Sequence, residues 1–109
     1  MAKNDKVLSV LSLAMKAGRI ASGETAVLNA IRNGSAFLVL IAEDASAGTS
    51  KKFSDKSTYY EVPCRVYGTK EMLAHSIGKD LRSVIAVCDE GFAGSIIQRL
   101  EEADINGKQ

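Results

Sequence analysis

Residues 18–44 read Gly-Arg-Ile-Ala-Ser-Gly-Glu-Thr-Ala-Val-Leu-Asn-Ala-Ile-Arg-Asn-Gly-Ser-Ala-Phe-Leu-Val-Leu-Ile-Ala-Glu-Asp, and the reading of this stretch decides the fold. A short extended piece, Arg19 to Ala21, runs into Ser22 and Gly23, after which Val27, Leu28 and Ile31 fall at helical spacing. Ser22 is placed to cap that helix by accepting a bond from a first-turn amide. Since those amides have no partner and mark the positive end of the helix dipole, the spacing suggests a phosphate seat beside Lys16 and Arg19. The same residues equally make a plain strand-to-helix turn. The helix stops at Asn33 and Gly34. Phe37 to Ala42 is then almost continuously apolar and rich in branched side chains, which predicts a strand buried on both faces in the middle of a sheet. Glu43 and Asp44 follow at its carboxyl end, where open α/β sheets commonly place ligands.

Outward from this stretch, the pattern repeats. A first helix is expected after a cap at Asn4 and runs to about Ala17, with Val7, Leu8, Leu11, Ala14 and Met15 on one face and Gly18 as its stop. Ala45 to Ser57 is poor in apolar residues. It is read as a polar surface helix from about Thr49 to Ser57, with Lys51, Lys52 and Lys56 on or near one side. Val62 to Tyr67 is expected as the third main strand, Pro63 standing at its start where a missing donor is tolerable. Thr69 caps a helix through Ile77, closed by Gly78. A second continuous apolar run, Ser83 to Cys88, precedes a last helix from about Gly91 to Ala103, with residues 104–109 expected to fray. Alternating helices and apolar strands that need cover on both faces predict one domain, a three-layer α/β/α sandwich around a mixed sheet of about four strands.

The chain has 109 residues, 46% of them hydrophobic, which is enough for one core and little for a second. It contains no apolar run near the roughly 20 residues of a membrane-spanning helix, and no signal-peptide region follows its start, so a cytoplasmic protein is expected. The net charge of +1 does not announce a nucleic-acid binder. Its distribution is uneven: residues 1–60 hold eight Lys or Arg against five Asp or Glu, and residues 61–109 hold six against eight. Cys64 and Cys88 are far apart and form no Cys-x-x-Cys pair. With His75 the only histidine, they are read as buried reduced thiols, and no metal or cofactor is expected.

Enzymatic motifs are missing. The chain has neither Gly-x-x-x-x-Gly-Lys-Ser/Thr nor Gly-x-Gly-x-x-Gly after a strand, and Gly-x-Ser-x-Gly is absent too. His75 beside Leu73 and Ile77 reads as a surface or packing residue. Asp89 and Glu90 suit a helix start, where carboxylates complement the dipole.

The run Lys16-Ala17-Gly18-Arg19-Ile20, then Ser22-Gly23, then Asn33-Gly34 leading into Leu38 to Asp44, resembles the kink-turn RNA-binding ribosomal proteins of the L-seven-Ae and L-thirty-e type, and within them the small bacterial YlxQ-type branch. Tyr60 to Pro63 and Leu73 to Gly78 also look like segments of that family. The resemblance implies an α/β/α sandwich and binding to an RNA internal loop that bends sharply beside tandem sheared G·A pairs. It further implies ribosomal or another kink-turn-bearing RNA as partner, with the ribosome as a second one; the chain is expected to be a monomer with no membrane partner. By gapless matching Gly23 falls on the family's glycine, whereas Thr25, Ala26 and Asn29 replace its asparagine, glutamate and lysine. A two-residue shift puts Glu24 on the acid position and Val27 on the lysine. Lys79-Asp80-Leu81 falls where the family has an apolar residue, an acid and an apolar residue, so Leu81 is expected to cover a base while Lys79 and Arg82 address phosphate. The expected RNA contacts are thus Ser22, Gly23, Glu24, Thr25, Asn29, Lys79, Asp80, Leu81 and Arg82, with Lys16, Arg19, Arg32, Lys51 and Lys52 near phosphate and Glu43 and Asp44 at the strand end. The alternative is an adaptor, ribosome-associated or protein-binding, that has kept the fold and lost kink-turn specificity.

Overall fold

The two continuous apolar runs form the inner strands of one sheet, β2 (Leu38–Ile41) and β4 (Val84–Val87), and every residue of both is buried. They pair antiparallel, Leu38 opposite Val87 and Ile41 opposite Val84. On the outer edges, β1 (Ile20–Ser22) runs antiparallel to β4 and β3 (Cys64–Val66) parallel to β2, giving the order β1-β4-β2-β3. The computed structural model describes residues 5–107, with side chains as far as residue 102.

Successive strand residues point to opposite faces, so each apolar run feeds two cores. Leu38, Leu40, Ile85 and Val87 meet Val7, Val10 and Leu11 of α1 (Lys6–Lys16), Leu73 of α4 (Lys70–Ser76) and Ala93 and Ile96 of α5 (Glu90–Gly107). Val39, Ile41, Val84 and Ala86 meet Val27, Ala30 and Ile31 of α2 (Glu24–Arg32) and Phe53 of α3 (Ala47–Tyr59). The result is the expected α/β/α sandwich on a mixed four-stranded sheet.

Several local expectations are corrected. Ser22 does not cap α2: it is the last residue of β1, paired with Ile85, and the N-cap is Gly23, which makes no side-chain cap bond. The extended piece is displaced by one residue, because the Gly23 amide still donates to the Val84 carbonyl at 3.1 Å and carries the pairing to the helix entry. Asp5 caps α1 by accepting from the Leu8 amide at 2.9 Å, while Asn4 lies outside the described residues. The third strand is only three residues long and lies on the edge. Pro63 stays outside it and accepts from the Val39 amide at 2.8 Å.

The helix expected at Thr49 to Ser57 is longer than its polarity suggests. It starts at Ala47, where Ser46 Oγ accepts from the Thr49 amide at 3.1 Å, and is held to the sheet by the fully buried Phe53. Burying that one ring contributes about 1.5–3 kcal/mol. Periodicity gives the helix but understates its length, because one large residue replaces a stripe. At the other end of the chain, α5 continues to Gly107, past the end expected near Ala103. Both cysteines are free thiols and only partly buried.

Gly23 has φ +89° and ψ 160°, a conformation open essentially to glycine alone. Gly23→Ala is expected to lower stability by about 1–3 kcal/mol in denaturant titration. Gly48→Ala, in α3 with open space around the added methyl, should be neutral or stabilising by up to about 1 kcal/mol. Equal effects at the two positions would contradict the assigned turn. The Tyr67 hydroxyl donates to Asp5 Oδ2, and its pKa is raised by burial first, then by that bond and by the Asp5 and Glu43 charges. The folded state therefore keeps the phenolic proton at pH values where the unfolded chain has lost it. Stability from this group is fully present below about pH 10 and declines as pH rises further. The stability advantage of the parent over Tyr67→Phe should shrink as pH rises from about 10 to 12; a constant or growing advantage would refute the bond.

Candidate functional site

Strand directions decide which loops share a surface. Because β1 and β2 both run antiparallel to β4, their carboxyl ends and the amino end of β4 lie at one end of the sheet. The tip of α2, the Glu43–Asp44 turn and the loop preceding β4 therefore converge. Backbone bonds hold the Glu43–Asp44 turn in place: Ala42 donates to the Ser83 carbonyl before β4 at 2.8 Å, and Glu43 to the Gly68 carbonyl after β3 at 2.7 Å. Asp44 Oδ1 accepts from the Lys70 amide at 2.8 Å, which commits this carboxylate to the start of α4.

Residues 78–82 form a tight loop that closes against the α2 tip. Arg82 Nη1 donates to the carbonyls of Asp80 and Leu81, both at 3.0 Å, while its Nε donates to Ser22 Oγ at 3.3 Å. A Cβ added at Gly23 would lie 4.0 Å from that same Arg82 Nε. Having folded its own loop around itself, Arg82 leaves Leu81 turned outward, 61% exposed. An apolar side chain held clear of the core by a charged neighbour is suited to cover the face of an unstacked base.

Glu24 links α2 to α3. Its carboxylate accepts from Thr49 Oγ1 at 3.0 Å and faces Lys52 Nζ at 3.7 Å. Such an exposed pair contributes at most about 1 kcal/mol, so its role is to orient side chains more than to hold the fold. Thr25, Ala26 and Asn29 are exposed along α2, whereas Val27 is completely buried. Thr49, Ser46 and Lys70 complete this surface and were not anticipated. The Ser-x-x-Thr spacing at 46–49 was a readable helix-start signal, but nothing in the sequence marks Lys70.

Other candidates lie elsewhere. Arg19 stands before β1, its carbonyl accepting from Cys88 at 2.7 Å, so the whole of β1 separates it from the α2 tip. Lys16 ends α1 on that distant side, and Arg32 ends α2 beside Phe37 and Tyr60. A phosphate seat formed jointly by the α2 tip, Lys16 and Arg19 is therefore not the arrangement found. Lys51 pairs with Asp55 at 3.0 Å. Charges near the α2 tip are interleaved, with Lys52, Lys70, Lys79 and Arg82 among Glu24, Glu43, Asp44 and Asp80, so the surface is not uniformly basic.

Among the described residues, no three His, Cys, Asp or Glu side chains gather to hold a metal ion. His75 is exposed. Burial pushes the Cys64 thiol up, an effect partly offset by Ser57 and Arg65, so its nucleophilic thiolate is disfavoured. No described helix is long and apolar enough to cross a membrane.

Comparison with known proteins agrees with this architecture. The chain is 47% identical over 92 residues to the RNA-binding protein YlxQ of Bacillus subtilis, covering 84% of this chain and 92% of that protein. It is 41% identical over 96 residues to the RNA-binding protein YlxQ of Enterococcus faecium, covering 88% and 92%. A solved structure of a Bacillus halodurans protein of unknown function superposes with a TM-score of 0.82 at 41% identity, over 85% of this chain and 94% of that one. The Giardia lamblia 15.5kD RNA binding protein shares the fold, with a TM-score of 0.73 at 20% identity over 87% and 84% of the two chains. The sequence model of the Ribosomal protein L7Ae/L30e/S12e/Gadd45 family matches residues 5–97, and the chain belongs to that family.

Proposed function

We propose that this protein is a non-enzymatic RNA-binding module that holds a sharply bent internal loop, of the kink-turn kind, between the α2 tip and the 78–82 loop. The observation that carries the reading is the bond from Arg82 to Ser22, which makes one surface of those two segments. The α2 tip has no side-chain cap, so its first amides are available to phosphate or base acceptors, and Leu81 supplies an apolar cover next to them. The RNA-binding relatives at 47% and 41% identity support the same class of partner.

The polar readers differ from the family's acid and lysine. In the gapless match the reading positions are Ala26 and Asn29, both exposed; the shifted match requires Val27, which is buried and unable to reach a ligand. The exposure of Ala26 and Asn29 favours the gapless match. Ala26 cannot accept guanine donors, and Asn29 offers an amide where a lysine would place a charge. Recognition then rests on the backbone at the tip, Thr25, Asn29 and the Leu81 loop, and is expected to be looser in sequence than a grip made by an acid and a lysine. A ribosomal RNA carrying such a bend is the natural first substrate.

An electrophoretic shift on a stem-loop with a kink-turn internal loop, competed by an unbent duplex, tests the reading. The bent RNA should bind more tightly. Affinity should fall with salt at a slope of about −0.9 in log–log form for each phosphate contacted. Equal, salt-insensitive binding to both RNAs would contradict it.

A further inference from the structure

A second surface leads away from the α2 tip along α3. Lys52, Lys56 and Tyr59 stand at i, i+4 and i+7, so they share one face of that helix. With Asp55 and Tyr60 they line an open groove whose upper end, Lys52, is the residue facing Glu24 at the α2 tip. The single acid of the groove is engaged elsewhere, since the Asp55 carboxylate accepts from Lys51. Lys56 has no ion pair among the described residues. At the lower end Tyr59 is 79% exposed, more than any other large hydrophobic side chain of the described residues. Its ring meets Tyr60 edge-on, centroids 5.0 Å apart, so it is held upright without being covered. Tyr60 in turn enters the groove that contains Arg32.

Lysines are depleted at protein–protein interfaces, whereas a lysine row ending in an exposed ring is how single-stranded nucleic acid is held. We infer that this face of α3 binds unpaired nucleotides adjoining the bent loop, with phosphates at Lys52 and Lys56 and a base stacked on Tyr59. The inference rests on the RNA-binding reading above and extends it to the flanking strand.

The test compares the bent stem-loop with the same RNA carrying an unpaired tail of six nucleotides, attached on either side in separate RNAs, by fluorescence anisotropy. One tail should tighten binding to the parent by about tenfold. Tyr59→Ala should abolish that gain while leaving the tail-less affinity unchanged, and Tyr59→Phe, which keeps a stacking ring, should retain it. Lys56→Gln should shrink the salt slope on the tailed RNA by about 0.7. If the parent binds the bent loop but neither tail adds affinity, or Tyr59→Ala keeps the gain, this inference fails alone. Should the parent bind none of the RNAs, the inference falls together with the reading it extends.

Discussion

The antiparallel pairing of β1 with β4 is the constraint on which the working surface depends. Three residue pairs, Ile20 with Val87 through Ser22 with Ile85, are extended by the Gly23 amide to the Val84 carbonyl. That last bond places the entry of α2 next to the residues that precede β4. Because the entry requires a positive φ, glycine is the residue that lets the strand end and the helix begin within a single position. The 78–82 loop then has only to bring Arg82 back to Ser22 for the two segments to act as one surface.

The sheet behind this surface provides its rigidity. Both inner strands are buried along their whole length, and each contributes alternate side chains to two cores. Loops anchored on the ends of such strands are positioned by both cores. Acids and bases alternate around the tip, so no single sign of charge dominates it. The more basic and aromatic face lies along α3, where the ring of Tyr59 stands in solvent.

How much was legible from sequence follows from the physics of each element. The Leu38–Ile41 and Val84–Val87 runs were readable because a strand buried on two faces cannot avoid continuous hydrophobicity. The length of α3 was not, because Phe53 is its one fully buried apolar side chain and leaves no stripe to read. Ser22 was misread by one residue: a serine before a helix has the right chemistry for a cap, and only the β-ladder shows that its backbone is already committed to a strand. Nearness in the chain groups Lys16 and Arg19 with the α2 tip, yet an intervening strand of three residues carries them about 10 Å away. Linear spacing predicts proximity within a helix and separation along a strand. The convergence of Ser22 with Arg82, 60 positions apart, could be expected only through family resemblance.

The claim that one continuous surface at the carboxyl end of β1 grips RNA is tested most directly by amide chemical-shift mapping. Titrating the isotopically labelled protein with a kink-turn stem-loop should move the resonances of Gly23, Thr25, Asn29, Leu81 and Arg82 together, with one apparent affinity. Perturbations confined to the opposite end of the sheet, around Lys16, Arg19 and Cys88, would contradict it.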